Sequence, residues 1–338
     1  MRVTNKMLSN NFLRDMRTNL TNLSKIQSQM DTGKEITKAS DDPLKTSRIM
    51  QMYSEIDANK QYNSNIKNTT NWLDTTDAAL SQVGNVCGRI EELLGKAGDA
   101  GYGIDQKQAI KDEINQKIQE VSQILNTSFD GKYIFGGTRG TTKPTETKSI
   151  DGVNGSNSQL VYSEIGGGEL VLPNPLDPTA TDNSTVQYNQ INSKLLVEVS
   201  QGVTMDYNIT ASQIINYGTG ADAGKNLMGL LGDITKHLDS TDANDIKALN
   251  NADLDGIQKA MTNVLKLRSE VGAKQNRMES AQTRNEDQNF NMTEILSSTE
   301  DIDITEKTME YATMQTVYMA SLQTSAKVLQ PSLLDYLR

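Results

Sequence analysis

The sequence predicts a mainly α chain with a β domain inserted near its middle, the helices of both chain ends forming an elongated bundle or coiled coil. Three observations carry that prediction. Apolar residues recur at spacings of three and four over most of residues 1–137 and 225–338, the period of an amphipathic helix. Between them, residues 138–224 are dominated by Gly, Ser, Thr, Asn and Asp, with short β-branched and aromatic runs and four of the six prolines, a strand-and-turn texture. Only 36% of residues are hydrophobic, with four Phe and one Trp, so thin seams between helices suit the chain better than one thick core.

The first helix is expected from about Asn5 to Asp31, where Leu13, Met16, Leu20, Leu23, Ile26 and Met30 form one narrow apolar stripe. Gly33 suits a C-terminal stop. Ala39-Ser40-Asp41-Asp42-Pro43 restarts a helix, with Ser40 or Asp41 as the expected cap and Pro43 in the first turn. The second helix then runs without proline to about Ala97 on Ile49, Met52, Ile56, Ile66, Leu73, Leu80, Val83, Val86, Ile90 and Leu93. At 1.5 Å per residue its ~55 residues span roughly 80 Å. The polar run Asn63-Ser64-Asn65 marks a place for a kink.

A third helix follows from about Asp105 to Ser128 on Ile110, Ile114, Ile118, Val121 and Leu125, and Phe129 to Gly137 switches to strand chemistry around a Gly turn. Strand-like runs in the middle are Gln159–Tyr162, Glu169–Leu172 and Met205–Ile209. Helix returns at Leu227 with Leu230, Leu231, Ile234 and Leu238, continues from about Asp253 to Ser297, and ends with a segment from about Asp303 to Leu329. That last helix carries Tyr311, Met314, Tyr318, Leu322 and Leu329, and Pro331 stops it. The narrow stripes at both ends suit coiled-coil seams. Such helices gain little burial alone and are expected to stay frayed until subunits meet. The plainer reading is two outer helices of an ordinary bundle.

Composition excludes several functions. The formal net charge is -10 with no basic stripe, which argues against nucleic acid. No run approaches the ~18 apolar residues of a membrane span, and Met1 to Phe12 holds no apolar region of a cleaved signal. With one cysteine, Cys87, and one histidine, His237, no disulfide and no Cys/His metal set can form. Cys87 reads as a buried small hydrophobe, and His237 as a surface or cap residue near a helix end. Asn251 to Gly256 resembles the start of a calcium loop, but Thr262 stands where a bidentate Glu is needed, and a helix N-cap cluster explains the same letters. Gly166-Gly167-Gly168 lacks the Lys-Ser/Thr of a phosphate loop and reads as a turn. Nothing here points to catalysis, a cofactor or a metal.

Against that background, Ile110 to Val121, followed by Asn126, Phe129 and Gly131, resembles the third helix and turn of bacterial flagellin-family proteins. Gly33-Lys34 with Ala39 to Pro43 resembles the family's N-terminal helix break, and Arg89-Ile90-Glu91-Glu92-Leu93 its second-helix packing segment. Tyr133-Ile134-Phe135-Gly136-Gly137, Arg268 to Glu279, Pro43-Leu44 after the Asp pair, and the ending Ser332 to Leu337 are similar to the junction branch of that family, the type 3 hook-associated proteins. The resemblance covers residues 1–137 and 225–338.

It implies a structural subunit of the bacterial flagellum at the hook–filament junction, adapting hook-associated protein type 1 to flagellin; a filament-forming flagellin is the alternative, and a cytoplasmic scaffold or adhesin-like protein a further one. It implies a terminal coiled-coil domain from residues 1–40 plus 300–338, a rod-like helical domain with a β-hairpin from 41–137 plus 225–299, and an outward-facing β domain at 138–224. The implied partners are further copies in a ring or short helical zone, hook-associated protein type 1, flagellin, and an export chaperone on the C-terminal helix. Flagellar type III export to the cell exterior, without a cleaved signal, follows from the same resemblance. Candidate subunit-packing residues are Leu13, Met16, Leu20, Leu23, Met30, Arg89, Glu92, Met314, Tyr318, Leu322 and Leu329.

Overall fold

A computed structural model describes residues 5–98, 103–152, 155–172, 182–218, 224–240 and 242–328. In chain order the elements are α1 (Asn5–Thr32), α2 (Pro43–Ala97), α3 (Ile104–Leu125), β1 (Ser128–Phe129), β2 (Lys132–Tyr133), β3 (Thr145–Gly152) and β4 (Gly155–Tyr162). Then come α4 (Asn183–Ile191), β5 (Leu196–Ser200), β6 (Val203–Asp206), α5 (Ala211–Ile215), α6 (Leu227–Asp239), α7 (Ala243–Ala248), a π-helical turn (Leu249–Asp253), α8 (Leu254–Glu300) and α9 (Ile304–Val328). The chain is thus mainly α, with long helices at both ends and a sheet-containing middle. It divides into two compact units, residues 61–285 and residues 1–60 with 286–338.

The 61–285 unit has a continuous apolar core. Ile66, Leu73, Leu80 and Ile90 of α2 meet Ile114, Ile118 and Val121 of α3, Leu231 and Ile234 of α6, and Ile257 and Val271 of α8. Each helix presents the three-and-four spacing its sequence encodes, so the stripes become core. The strands form three antiparallel hairpins, β1–β2, β3–β4 and β5–β6. β3 and β4 pair in full register, Thr145 opposite Tyr162 and Gly152 opposite Gly155. Glu169–Leu172 does not form a strand. Three glycines of positive φ turn the chain back, after which Glu169 bridges Ser163 and Leu170 N donates to the Tyr162 carbonyl at 2.8 Å.

Two polar features fasten the middle region to the helices. Lys111 of α3 forms a fully buried ion pair with Asp239 at the end of α6, at 2.6 Å, and Asn157 of β4 donates to the other Asp239 oxygen at 2.9 Å. A buried pair of this kind is tolerable only when its remaining lone pairs are satisfied, and Asn157 does that. Beyond β2, Ile134 and Phe135 are buried, and the Phe135 carbonyl accepts from Ala211 N at 2.9 Å. Gly137 has φ +58°, and a Cβ there would lie 2.3 Å from the Gln190 carbonyl oxygen. This close approach lets Thr138 N donate to that carbonyl at 3.0 Å. Arg139, also buried, donates to Gln187 Oε1 and to the Lys143 and Ser163 carbonyls.

In the unit of residues 1–60 and 286–338, α2 and α8 contribute Ile49, Met52, Ile56, Met292 and Leu296 to a small core, with Ile36 against it. The cap of α2 is Asp42, not Ser40 or Asp41: its Oδ1 accepts from Leu44 N and Lys45 N at 3.1 and 3.0 Å. Asp41 instead accepts from Lys38 N and closes the preceding turn. α2 runs unbroken through Asn63-Ser64-Asn65. The N-cap cluster expected at Asn251–Gly256 is replaced by the π-helical turn, which carries the chain from α7 into α8.

Candidate assembly surface

α1 ends where α9 begins. The Gly33 carbonyl accepts from Ile302 N at 3.1 Å, and Lys34 bridges Asp301 in antiparallel sense. From this turn the two helices pack along each other with opposite chain directions. The seam positions covered on α1 are Phe12, Met16, Asn19, Leu23, Ile26 and Met30, with Ser9, Ser28 and the buried Gln29 covered as well; those on α9 are Lys307, Tyr311, Met314, Tyr318, Ser321 and Ser325. Both sets alternate steps of three and four without interruption, the a/d pattern of a coiled-coil seam.

That register splits the stripe expected from sequence. Met16, Leu23 and Met30, with Met314 and Tyr318 opposite, lie in the seam. Leu13 and Leu20 occupy the next heptad position, as does Leu322 on α9. In an antiparallel pair these flanking positions fall on the same edge. Counting back from the turn sets Leu322 level with the stretch between Leu13 and Leu20. The three leucines therefore form one apolar edge, 42%, 49% and 42% exposed, with Met319 beside it at 57%. The opposite edge carries Asp15, Asn22, Gln29, Glu310, Val317 and Thr324 and is mostly polar. Burying three half-exposed leucines in a neighbouring surface is worth roughly 1 kcal/mol each.

α9 shows the same incompleteness around its whole circumference. Ile304, Met309, Val317, Met319 and Leu322 are all exposed and point in different directions. These apolar residues are interspersed with exposed Thr, Gln and Glu, and α1 covers only one side of the helix.

A polar knot fixes the base of this pair. Glu300 is buried and accepts from Lys34 Nζ at 2.5 Å and from the Tyr53 hydroxyl at 2.7 Å, while the Lys34 ammonium lies 5.4 Å from the centre of the Tyr53 ring. Hydrogen bonding to Glu300, then to Tyr53, raises the Lys34 pKa above the usual lysine range. Lys45 pairs with Glu35 beside it.

The remaining expected residues lie elsewhere. Arg89 and Glu92 of α2 belong to an ion-pair cluster: Arg89 meets Glu113 of α3 at 2.7 Å and Glu92 at 2.6 Å, and Glu92 also meets Lys96 at 2.7 Å. Leu329 lies outside the described residues. Sequence reading passed over Phe12, Asn19, Ser321 and Ser325 as seam positions. An unbroken heptad starting at Phe12 was the available signal, hidden because three of these four residues are polar.

Among the described residues no grouping of three His, Cys, Asp or Glu suits a metal ion, and no helix is long and apolar enough to cross a membrane. Cys87 is buried, and burial pushes its thiol pKa up to about 12, far from a reactive thiolate. His237 Nδ1 lies 2.6 Å from Asp253 Oδ2. It is half-buried and engaged rather than a free cap, and Asp253, whose pKa burial raises, holds the π-helical turn against α6.

Comparison with known proteins places these features. Residues 3–139 match the bacterial flagellin N-terminal helical region, and residues 254–337 match the bacterial flagellin C-terminal helical region. The flagellar hook-associated protein 3 of Escherichia coli (strain K12) is 22% identical over 95% of this chain and 95% of its own length. A flagellin of Bacillus subtilis is 24% identical over 95% of this chain and 94% of its own. With a flagellin of Clostridium tyrobutyricum the identity is 26% over 40% of this chain, which spans only 37% of that protein. Among solved structures, a flagellar hook-associated protein from Vibrio parahaemolyticus shares the fold with a TM-score of 0.58 at 19% identity, over 77% of this chain and 100% of that one. The flagellar hook associated protein-3 of Legionella pneumophila does so with a TM-score of 0.57 at 13% identity, over 74% and 98%.

Proposed function

The chain belongs to the bacterial flagellin family, and from that premise we propose that it is the structural subunit of the hook–filament junction, adapting hook-associated protein type 1 to flagellin. The observation that carries this reading is the end-to-end likeness to a flagellar hook-associated protein 3, supported by a fold shared with other hook-associated proteins. The relatives are structural flagellar proteins, and the site described above is a packing surface.

Physical chemistry supplies the mechanism. The exposed edge of Leu13, Leu20 and Leu322 receives the terminal helices of neighbouring copies. Contacts of this kind, repeated around an axis, build a ring or short helical zone. Met16, Leu23, Met30, Met314 and Tyr318 hold each pair together, and Leu329 is a further candidate for packing between subunits. Arg89 and Glu92 exchange part of their ion-pair cluster for contacts to a neighbour. Residues 1–40 with 300–338 line the tube, 41–137 with 225–299 form the rod, and 138–224 face outward. An export chaperone covers the exposed apolar residues of the C-terminal helix before the chain leaves through the flagellar type III channel to the cell exterior.

Gold labelling of intact flagella with antibody to this chain tests the reading. Label confined to the hook–filament boundary is the expected result. Label along the whole filament would instead favour a filament-forming flagellin, the reading that the full-length likeness to the Bacillus subtilis protein supports. Recovery only in the cytosol would remove both.

A further inference from the structure

The 61–285 unit contains a concave site whose polar groups are not used within the chain. A cavity of about 570 Å³ lies between α2, the β1–β2 hairpin and the residue after β6, with Asn68, Trp72, Phe129, Asp130, Lys132 and Tyr207 in its wall. Phe129 and Tyr207 stand edge-on to Trp72, with ring centres 6.0 and 5.7 Å away. Asp130 and Gly131 both have positive φ, the two-residue hairpin turn that sets Phe129 and Lys132 side by side. Thr69, also in the wall, bonds back to Asn65 O. Among the described residues the side chains of Asn68, Asp130, Lys132 and Tyr207 have no hydrogen-bond or ionic partner, and the buried Trp72 Nε1 has no acceptor. The adjacent polar residues of α2 are spent differently: Asp74 accepts from Gln275 and Asp77 from Arg268.

We propose that this cavity receives the Phe290 side chain of a second copy, an inference that rests on the junction reading because it needs neighbouring copies. Phe290 of α8 is 71% exposed, against 39% for Tyr53, the other aromatic among the exposed large hydrophobics. Aromatic side chains lodged in partner pockets are the usual anchors of protein interfaces, and perpendicular rings accept a further ring edge-to-face. Asp287 and Glu294 lie three and four residues from Phe290 on the same helix face. Neither has an ion pair among the described residues, and Lys132 at the cavity wall supplies the opposite charge. Asn291, next to Phe290, supplies an amide donor for Asp130. Knob and cavity are different patches of the chain, so a copy that offers its knob to one neighbour and its cavity to another makes a heterologous contact. It propagates from copy to copy instead of closing a pair, as a ring or helical zone requires.

Disulfide trapping tests the contact in the full-length chain. One preparation carries Asp287→Cys, beside an intact Phe290, and a second carries Lys132→Cys; buried Cys87 stays silent in both. The two are mixed on isolated hook fragments and sedimented under mild oxidation. A covalent dimer is expected in the pellet of the mixture, absent from either preparation alone, and reduced at least tenfold when Phe290→Ser is added to the first. Sedimentation without the dimer, or a dimer indifferent to Phe290→Ser, overturns the docking and leaves the junction reading standing. Failure of folded chain to sediment overturns both. Protection of the Lys132→Cys thiol from alkylation by added monosaccharide, but not by assembly, would identify a sugar site and overturn the proposal.

Discussion

The two compact units use the same kind of residue in opposite ways. The 61–285 unit gathers many of its isoleucines, leucines and valines in one continuous core, leaves others such as Ile104, Val171, Leu196 and Leu265 exposed, and satisfies its buried ion pair with a third side chain. The unit of residues 1–60 and 286–338 buries Ile26, Ile49, Met52, Ile56, Met292 and Leu296, yet exposes Leu13, Leu20, Leu44, Met50, Phe290, Met309, Met319 and Leu322. A monomeric domain seldom leaves so much apolar surface uncovered on so little core. The larger unit closes around an extensive core of its own, whereas the smaller has little core, and the proposed function gives its exposed leucines a neighbour to cover them. Substitutions should therefore damage the first in the isolated chain and the second only on assembly.

The largest effect is expected at Lys111. Lys111→Ala leaves Asp239 buried without its cation, which costs ~3–5 kcal/mol. Trp72, the one tryptophan of the chain, lies in the same unit, so its emission during urea unfolding reads the loss directly. A midpoint unchanged from the parent would mean that water replaces the lysine and that this unit is less closed than described. Gly137→Ala should follow, at ~3 kcal/mol. A Cβ at positive φ is strained, and 2.3 Å from a carbonyl oxygen it forces the chain away from α4. A smaller loss, near that of an ordinary surface Gly→Ala change, would show that α4 yields easily.

The long helices α1, α2, α3, α6, α8 and α9 were legible because periodicity over many residues leaves few alternatives, and Gly33 and Pro43 mark their ends. The shorter elements were not. α4 offers only Val186, Tyr188 and Ile191 as apolar residues and is set by the Asp182 cap, which accepts from Thr185 N at 3.1 Å; within a stretch rich in Asn, Ser and Thr these letters look like a loop. The π-helical turn depends on His237 reaching Asp253 across sixteen residues of chain, a tertiary contact that no local pattern encodes. The apolar stripe of α1 was legible by residue type, but not by which of its positions face α9. Leu13 and Leu20 looked equivalent to Met16 and Leu23 until the partner helix fixed the seam, because a 3.6-residue period alone cannot say which flank of a stripe is covered.

Acid should separate the units more gently. Asp206 at the end of β6 is partly desolvated, which raises its pKa, but Lys274 and then Lys194 outweigh this and hold it below the usual aspartate value. The folded state therefore binds its proton less readily than the unfolded state, whose aspartate titrates near ~3.9. That contribution is present above the unfolded value and is lost as pH falls through the lower folded value. Unfolding followed by Trp72 emission should show stability falling below about pH 4. Lys274→Met should flatten that part of the profile. An identical profile for the variant would assign the acid sensitivity to other carboxylates.

The smallest effect on the isolated chain carries the most weight for the comparison. Leu13→Ser, Leu20→Ser and Leu322→Ser replace side chains that are already half exposed in the monomer, so each should cost monomer stability only about 1 kcal/mol. Leu23→Ser, in the seam, should instead loosen the α1–α9 pair and show in the monomer as faster proteolysis of both terminal helices. The three edge leucines together should abolish co-sedimentation with hook fragments while the far-UV spectrum and the Trp72 unfolding midpoint stay at parental values. That dissociation of effects is what a surface reserved for a neighbour requires: its free energy, about 1 kcal/mol per leucine per contact, is realised only when copies meet and is multiplied by every subunit added. If the triple variant still assembles, the apolar edge is incidental and the seam alone defines the terminal helices. If the monomer itself unfolds, the leucines are covered within the chain and the smaller unit is as complete as the larger.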